Sequence, residues 1–287
     1  MFSSDFQKKF YYALKNWTPP ELLPFILRFP VAARFIFQKN KQMLLSNLDL
    51  KGKGNGRDAY IIATGPSLKG VDLAFLAGRD CFSVSNFILH PQLDVVCPQM
   101  HFFAPYHEPL VYEEYINWLA SADRTLPKDT AVVLGLQTFE TVEHYHLFPR
   151  RKVHYLSLEK VPLRMLPDLK WPVLSPQTSP IMILPMLHYM GYQRVFLLGC
   201  DHNILKNYGG AVENFYDVSQ DPRSNSTSGD NWKAGIVSHL EYALNVFNQY
   251  KFYKSVYEKS GMQIFNSSDT GWLDFFEYIS INELRKF

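Results

Sequence analysis

The chain has 287 residues, enough to bury one large core with an appendage, and its 29 Lys and Arg against 27 Asp and Glu leave a formal charge of only +2. That balance gives no bulk pull on nucleic acid, and a composition unusual only in its 22 Phe, 17 Tyr and 5 Trp excludes disordered and collagen-like chains. Cys81, Cys97 and Cys200 are odd in number and set in apolar, strand-like surroundings. They predict reduced, buried thiols rather than a disulfide framework, and no Cys/His cluster suggests zinc.

Residues 1–53 differ from the rest. Lys8, Lys9, Lys15, Arg28, Arg34, Lys39, Lys41, Lys51 and Lys53 face only Asp5, Glu21 and Asp49, and aromatic residues such as Phe2, Tyr11, Trp17, Phe29 and Phe37 run between them. Pro19-Pro20, Pro24 and Pro30 predict short, broken helices. Such a basic-aromatic segment suits an anionic membrane surface, and equally a helical appendage packed on the core. No apolar run approaches the roughly 20 residues of a membrane span, and no clean leader with a cleavage site follows Lys8 and Lys9. The expected location is cytoplasmic, with peripheral contact on the inner face of the cell membrane. KGKGNGRD, from Lys51 to Asp58, reads as a linker.

The main domain is expected over 54–287. Ala59, Tyr60, Ile61, Ile62 and Ala63 form a short apolar strand that ends in Thr64-Gly65-Pro66-Ser67, after which Leu68, Val71, Leu73, Phe75 and Leu76 return at helical spacing. A strand, a tight glycine turn and a helix can cradle a phosphate on backbone N–H groups, and can also be plain α/β architecture. Further strands are predicted at 81–89, 94–104, 130–136, 152–158 and 192–202. Helices are predicted at 107–121, at 179–191 with Pro180 in the first turn and Gly191 past the end, and at 238–261 with Gly261 as the stop. Residues 203–235, rich in Asn, Gly, Ser, Asp and Pro, are too long for a simple connection and read as a lid. A last strand and a short helix close the chain. The alternation predicts an α/β fold with a doubly wound, mainly parallel, Rossmann-like sheet. Its ligands would sit outside the strands' carboxyl ends.

The segments ATGPSLKGVDL, CFSVSNF, TSPIMILPMLHYMGYQRVFLLGCD and GMQIFNSS, in that order, resemble the bacterial sialyltransferases of glycosyltransferase family 42 and a wider family that includes 6-hydroxymethylpterin diphosphokinase-like proteins. The resemblance covers about 58–270 and implies a variant of the GT-A glycosyltransferase fold that binds a nucleotide sugar without a metal or other cofactor. On that resemblance Thr64, Gly65, Pro66 and Ser67 face the donor's ribose and phosphate, and Asn86, Thr178, Ser179 and Asp201 complete the nucleotide site. Tyr208 and Tyr216 are the lid tyrosines that hold the departing phosphate, and His239 is the catalytic base, with His107 and His202 as rivals at strand ends. The chain departs from the family pattern at Thr64, near Ala104-Pro105 and at Pro180, so the base and sugar contacts are expected to differ.

The function implied is transfer of an acidic, sialic acid-like sugar from a CMP-linked donor to a surface glycan or glycolipid. A histidine of near-neutral pKa suits deprotonation of the acceptor hydroxyl, and hydroxyl and amide donors suit the leaving phosphate. Two other readings stay open. One is a pterin-type diphosphokinase, in which Asp201 would hold Mg²⁺ on the phosphates of ATP; the other is a nucleotide-binding module without turnover.

Overall fold

The computed structural model describes residues 23–107, 110–208, 213–223 and 235–287. Residues 1–22, the first part of the basic-aromatic segment, lie outside the described residues, as do 209–212 and 224–234 of the expected lid.

Eight strands form one sheet: β1 (Asp58–Ile62), β2 (Cys81–Val84), β3 (Met100–Phe102), β4 (Ala131–Gly135), β5 (Val153–Leu156), β8 (Arg194–Leu198), β9 (Gln263–Asn266) and β10 (Glu277–Tyr278). Their order is β10-β9-β8-β1-β2-β3-β4-β5, and every pairing is parallel. Two short strands, β6 (Leu158–Glu159) and β7 (Val173–Leu174), pair separately. The chain winds outward from β1 through β5, then returns to lay β8 along the other side of β1. This reversal between β1 and β8 is the topological switch point, where a crevice opens at the carboxyl ends. The α/β, doubly wound expectation holds.

Both faces of the sheet are covered, so its central strands are mostly apolar on successive residues, as in Ala59–Ile62 and Val195–Leu198, rather than alternating with polar ones. Ala59, Ile61, Val195 and Leu197 enter one core. Tyr60, Ile62, Phe196 and Leu198 enter the other. The first core takes the helix Ser179–Met190, buried at ten of its twelve positions, and part of the long helix Ile236–Tyr257. The second takes Tyr112–Thr125, amphipathic by its buried Tyr115, Ile116, Trp118, Leu119 and Ala122.

Several local expectations are corrected. Pro24 and Pro30 do not break the N-terminal segment, which runs as one helix over Leu23–Ile36. Its Val31 and Phe35 are buried, as are Leu44 and Leu50 just after it, while Phe29, Ile36 and Phe37 are exposed. The Lys51–Asp58 stretch is no free linker. Its Gly52, Gly54 and Gly56 N–H groups donate to the carbonyls of Tyr189, Met190 and Gly191 at 3.3, 2.7 and 3.3 Å, satisfying carbonyl groups at the C-terminus of the Ser179–Met190 helix. A Cβ on Gly54 would sit 2.4 Å from the Tyr192 ring.

After β1 there is no α-helix, only single 3₁₀ turns at Pro66–Leu68 and Ala74–Leu76, because Gly70 takes φ +73° and Asp72 accepts from the Ala74 N–H. The predicted strands at 81–89 and 94–104 are shorter than expected. Ser85, at φ +53°, turns the chain out of β2, and a helical turn at Leu93–Val96 precedes β3. Cys97 is exposed, contrary to expectation; Cys81 and Cys200 are buried. Among the described residues no helix is long and apolar enough to cross a membrane.

Candidate functional site

A cavity of about 290 Å³ opens at the carboxyl ends of β1, β2 and β8. Its floor is the Ala63-Thr64-Gly65-Pro66 turn, Val84-Ser85 and Gly199; one wall is the start of the Ser179–Met190 helix; the other is the first half of Ile236–Tyr257. That volume sits at the lower end of small-molecule sites.

The turn after β1 is held by the turn after β8. Gly65 N–H donates to Gly199 O at 2.8 Å, and the Asp201 carboxylate accepts from Ser67 Oγ at 2.8 Å and from Thr270. Gly65 has an ordinary φ of −66°, so backbone strain does not demand glycine there. Close approach does: a Cβ would lie 1.9 Å from Asp201 Oδ2 and 2.5 Å from Gly199 O. This alters the expected cradle. The Gly65 N–H is spent inside the fold, and only a single 3₁₀ turn, not an α-helix, follows it. Asp201 lines the cavity, but its carboxylate fastens the Gly65 turn to the 267–272 segment, with Trp272 N–H also donating to its carbonyl at 2.9 Å. Ser67 is not among the lining residues.

Anion-binding character comes instead from the Ser179–Met190 helix. Thr178 is its N-cap and makes no side-chain cap bond; Pro180 has no N–H and the Ile181 N–H already donates to Thr178 O at 3.1 Å, so the helix start offers the cavity wall the Ser179 N–H and the positive end of the helix dipole. The Thr178 hydroxyl meets that of Tyr242, a residue the sequence reading missed. Burial raises the Tyr242 pKa and the Thr178 bond pulls it back in part, so its hydroxyl end is enclosed although 41% of the residue is exposed. Tyr242 remains a neutral donor at physiological pH.

His239 and Tyr208 face each other across the wall with ring centroids 5.3 Å apart at 82°. His239 Nδ1 lies 3.2 Å from the Gly235 carbonyl. A carbonyl only accepts, so Nδ1 carries the proton and Nε2 keeps its lone pair. His202 also lines the cavity, in the left-handed region at φ +48°, with Nε2 2.9 Å from the Tyr250 hydroxyl; burial depresses its pKa to about 4 and keeps it neutral. His107 is exposed and is not among the lining residues. The other lining side chains include Asn203, Glu213, Asn214 and Phe247, and no Lys or Arg is among the described lining residues.

Asn86 and Tyr216 do not reach the cavity. Asn86 is fully buried, accepting from Trp118 Nε1 at 2.8 Å and donating to the Tyr216 hydroxyl at 2.8 Å. Tyr216 in turn donates to Asp221 at 3.5 Å. Burial pushes the Asp221 carboxyl up, but the hydrogen bonds and charge of Arg223 win and hold it below its ordinary value; the guanidinium lies 4.2 Å above the Trp118 ring. Phe215 N–H donates to Thr64 O at 3.1 Å. These residues therefore clamp the described part of the lid, 213–223, onto the end of β1 and the Tyr112–Thr125 helix. Sequence offered no signal for Trp118 or Arg223.

Ser85 is propped from beneath. His101, fully buried, accepts from Ser83 Oγ at 2.7 Å and donates from Nε2 to Ser85 O at 3.0 Å; burial lowers its pKa to about 3. Among the described residues no group of three His, Cys, Asp or Glu is placed to hold a metal ion.

No protein-family model matches the chain, and no curated protein sequence matches it. Solved structures do. The sialyltransferase CstII from Campylobacter jejuni, in complex with the substrate analogue CMP-3FNeuAc, aligns at 13% identity and a TM-score of 0.46, over 79% of this chain and 87% of that one. CST-II in complex with a trisaccharide acceptor and CMP aligns at 14% identity and 0.47, with the same shares. What the cavity does must therefore be read from its own residues.

Proposed function

We propose that the chain is a glycosyltransferase that moves an acidic, sialic acid-like sugar from a CMP-linked donor to a glycan or glycolipid hydroxyl. One observation carries this reading: the Gly65 turn, the Thr178-Ser179 helix start and the Tyr208–His239 pair line a single cavity at the switch point. The donor's one phosphate suits a wall built from hydroxyls and the N-terminal end of a helix, with no Lys or Arg among the described lining residues.

In this mechanism His239 Nε2 takes the proton from the acceptor hydroxyl as its oxygen bonds to the sugar's anomeric carbon. The bond from that carbon to the phosphate oxygen breaks, and its electron pair leaves with CMP. Thr178, Tyr242, Tyr208 and the Ser179 N–H at the helix start stabilise the phosphate charge that develops. Attack opposite the leaving group makes the transfer inverting, and none of these roles calls on a metal. The diphosphokinase reading gains less, because both Asp201 oxygens already accept hydrogen bonds within the fold.

The test is a thermal-shift panel of CMP, UDP, GDP, ATP and CMP-sugars, followed by a transfer assay with and without EDTA. A response confined to CMP compounds, with turnover that survives EDTA, supports the proposal; stabilisation by ATP with Mg²⁺ alone would sink it. The exposed Phe29, Ile36 and Phe37 beside Arg34, Lys39 and Lys41 favour contact with an anionic bilayer, where lipid-linked acceptors are held. Sedimentation with phosphatidylglycerol vesicles but not phosphatidylcholine vesicles tests that contact.

A further inference from the structure

A second cavity, also about 290 Å³, lies at the opposite end of the strands. Its floor is apolar, from Leu50, Met100, Ala131 and Met190. Its rim carries Lys53, Arg57 and Lys152, and His154 lines it at 1% exposure.

The protonation of His154 follows from its neighbours. Asn47 Nδ2 donates to the carbonyls of Tyr155 and Leu169, at 2.8 and 3.1 Å, which fixes the amide so that Oδ1 faces His154 Nδ1 at 3.0 Å. An amide oxygen only accepts, so Nδ1 carries the proton and Nε2 is a bare lone pair. That Nε2 is buried and has no partner. His154 lines the cavity and Asn47, which holds the Nδ1 side of the ring, does not; Nε2 itself is covered, so a ligand in the cavity reaches it with a local side-chain shift. Burial, then Lys152 and Lys53, lowers the imidazole's pKa to about 4, so the ring does not cure its missing bond by taking a proton at neutral pH. A buried acceptor left unpaired is costly, and a ligand that donates to it recovers that cost.

We propose that this cavity binds a hydrogen-phosphate group, free or as a phosphate monoester. His154 Nε2 accepts from the ligand's P–OH while Lys53, Arg57 and Lys152 face its charged oxygens. The rim charge is partly balanced. Arg57 also pairs with Asp80 at 2.6 Å, and Lys152 lies 4.0 Å from Asp49, so Lys53 and Lys152 supply most of the attraction. The apolar floor leaves room for the organic part of an ester. The lone pair sets the specificity: a ligand must bring both negative charge and a hydroxyl proton. Phosphate offers both at pH 6, where a monoester is near its second ionisation and inorganic phosphate is below it, whereas sulfate offers charge alone.

Calorimetry at pH 6 and fixed ionic strength, on the full chain, compares inorganic phosphate with sulfate. Phosphate is expected to bind at least 10-fold more tightly. The double variant Lys53→Ala/Lys152→Ala is expected to weaken phosphate at least 10-fold while keeping the wild-type melting temperature. Sulfate binding within twofold of phosphate, or a double variant that binds phosphate as wild type does, overturns the proposal. His154→Phe should abolish the phosphate preference; should it not fold, the sulfate comparison and the lysine variant still decide. Glycerol 1-phosphate and vesicles of phosphatidic acid in phosphatidylcholine then separate a soluble ester from a lipid headgroup. None of these readouts depends on the CMP response, so the two proposals fail separately.

Discussion

Gly65→Ala tests how the candidate site is built. The new Cβ would meet Asp201 Oδ2 at 1.9 Å, Gly199 O at 2.5 Å and Asp201 Cγ at 2.8 Å. Carbon contacts are comfortable near 3.5 Å, so the two turns must part by about 1.5 Å. Neither neighbour is a loose side-chain end. The carboxylate is tied to Ser67 and Thr270, and the carbonyl is backbone that accepts the Gly65 N–H at 2.8 Å. Overpacking of this kind costs about 1–3 kcal/mol, and losing a hydrogen bond to a carboxylate adds about 1.5–3 kcal/mol. A loss of roughly 4 kcal/mol corresponds to about 10 °C in Tm for a domain of this size. Urea unfolding and a thermal scan measure it, and the CMP-induced shift should vanish with it. In an Asp201→Ala background the nearest atom is gone, so the penalty of the same substitution should shrink by at least about 1 kcal/mol, leaving the clash with Gly199 O. A Gly65→Ala protein within 1 kcal/mol of wild type, or equal penalties in both backgrounds, refutes the close-approach explanation.

His239→Ala should lower transfer by about 10²–10⁴-fold while CMP still stabilises the protein; a variant that retains full turnover removes His239 from the role of base. Asn86→Ala breaks the buried bonds to Trp118 and Tyr216 and leaves the indole N–H unpaired, at a cost of about 2–4 kcal/mol in all. Faster proteolysis within 213–223 is the accompanying readout, and unchanged cleavage would deny Asn86 its clamping role. Stability should also fall in acid. Burial holds His101 near 3 and His154 and His202 near 4, below the ordinary 6.5 of the unfolded chain, so between about pH 6 and 5 the unfolded state binds about three more protons than the native one. Stability is then complete above 6.5 and declines by roughly 4 kcal/mol per pH unit below it, one step of about 1.36 kcal/mol for each of the three histidines. Denaturant titrations from pH 7 to 4.5 that stay level would contradict this.

What the sequence disclosed and what it hid divide along a physical line. Short apolar runs such as Val195–Leu198 and Ala131–Gly135 read as strands covered on both faces, and their alternation with helical stretches implied the parallel sheet and its carboxyl-end crevice. The Thr178-Ser179-Pro180 start and Gly191 stop marked one helix almost to the residue, because cap chemistry is local. Contacts between distant segments carry no such mark. Nothing near Gly65 announces that the Asp201 carboxylate will occupy the space of its Cβ, 136 positions on, so a turn locked from below reads as an open phosphate cradle. Asn86 misleads in the same way: polar and placed after a strand, it suggests a ligand contact, yet Trp118 and Tyr216 use both ends of its amide. The glycines of 51–58 suggest slack where three N–H groups cap a helix. His154 is the mirror case. It looks like an unremarkable strand residue, and only the fixed amide of Asn47, 107 positions away, reveals that its outer nitrogen lacks a donor. A polar side chain's role follows from which of its atoms are already satisfied: where Asn86 and Asp201 have none to spare, they build the site, and where His239 and His154 each keep a lone pair, a ligand has somewhere to bind.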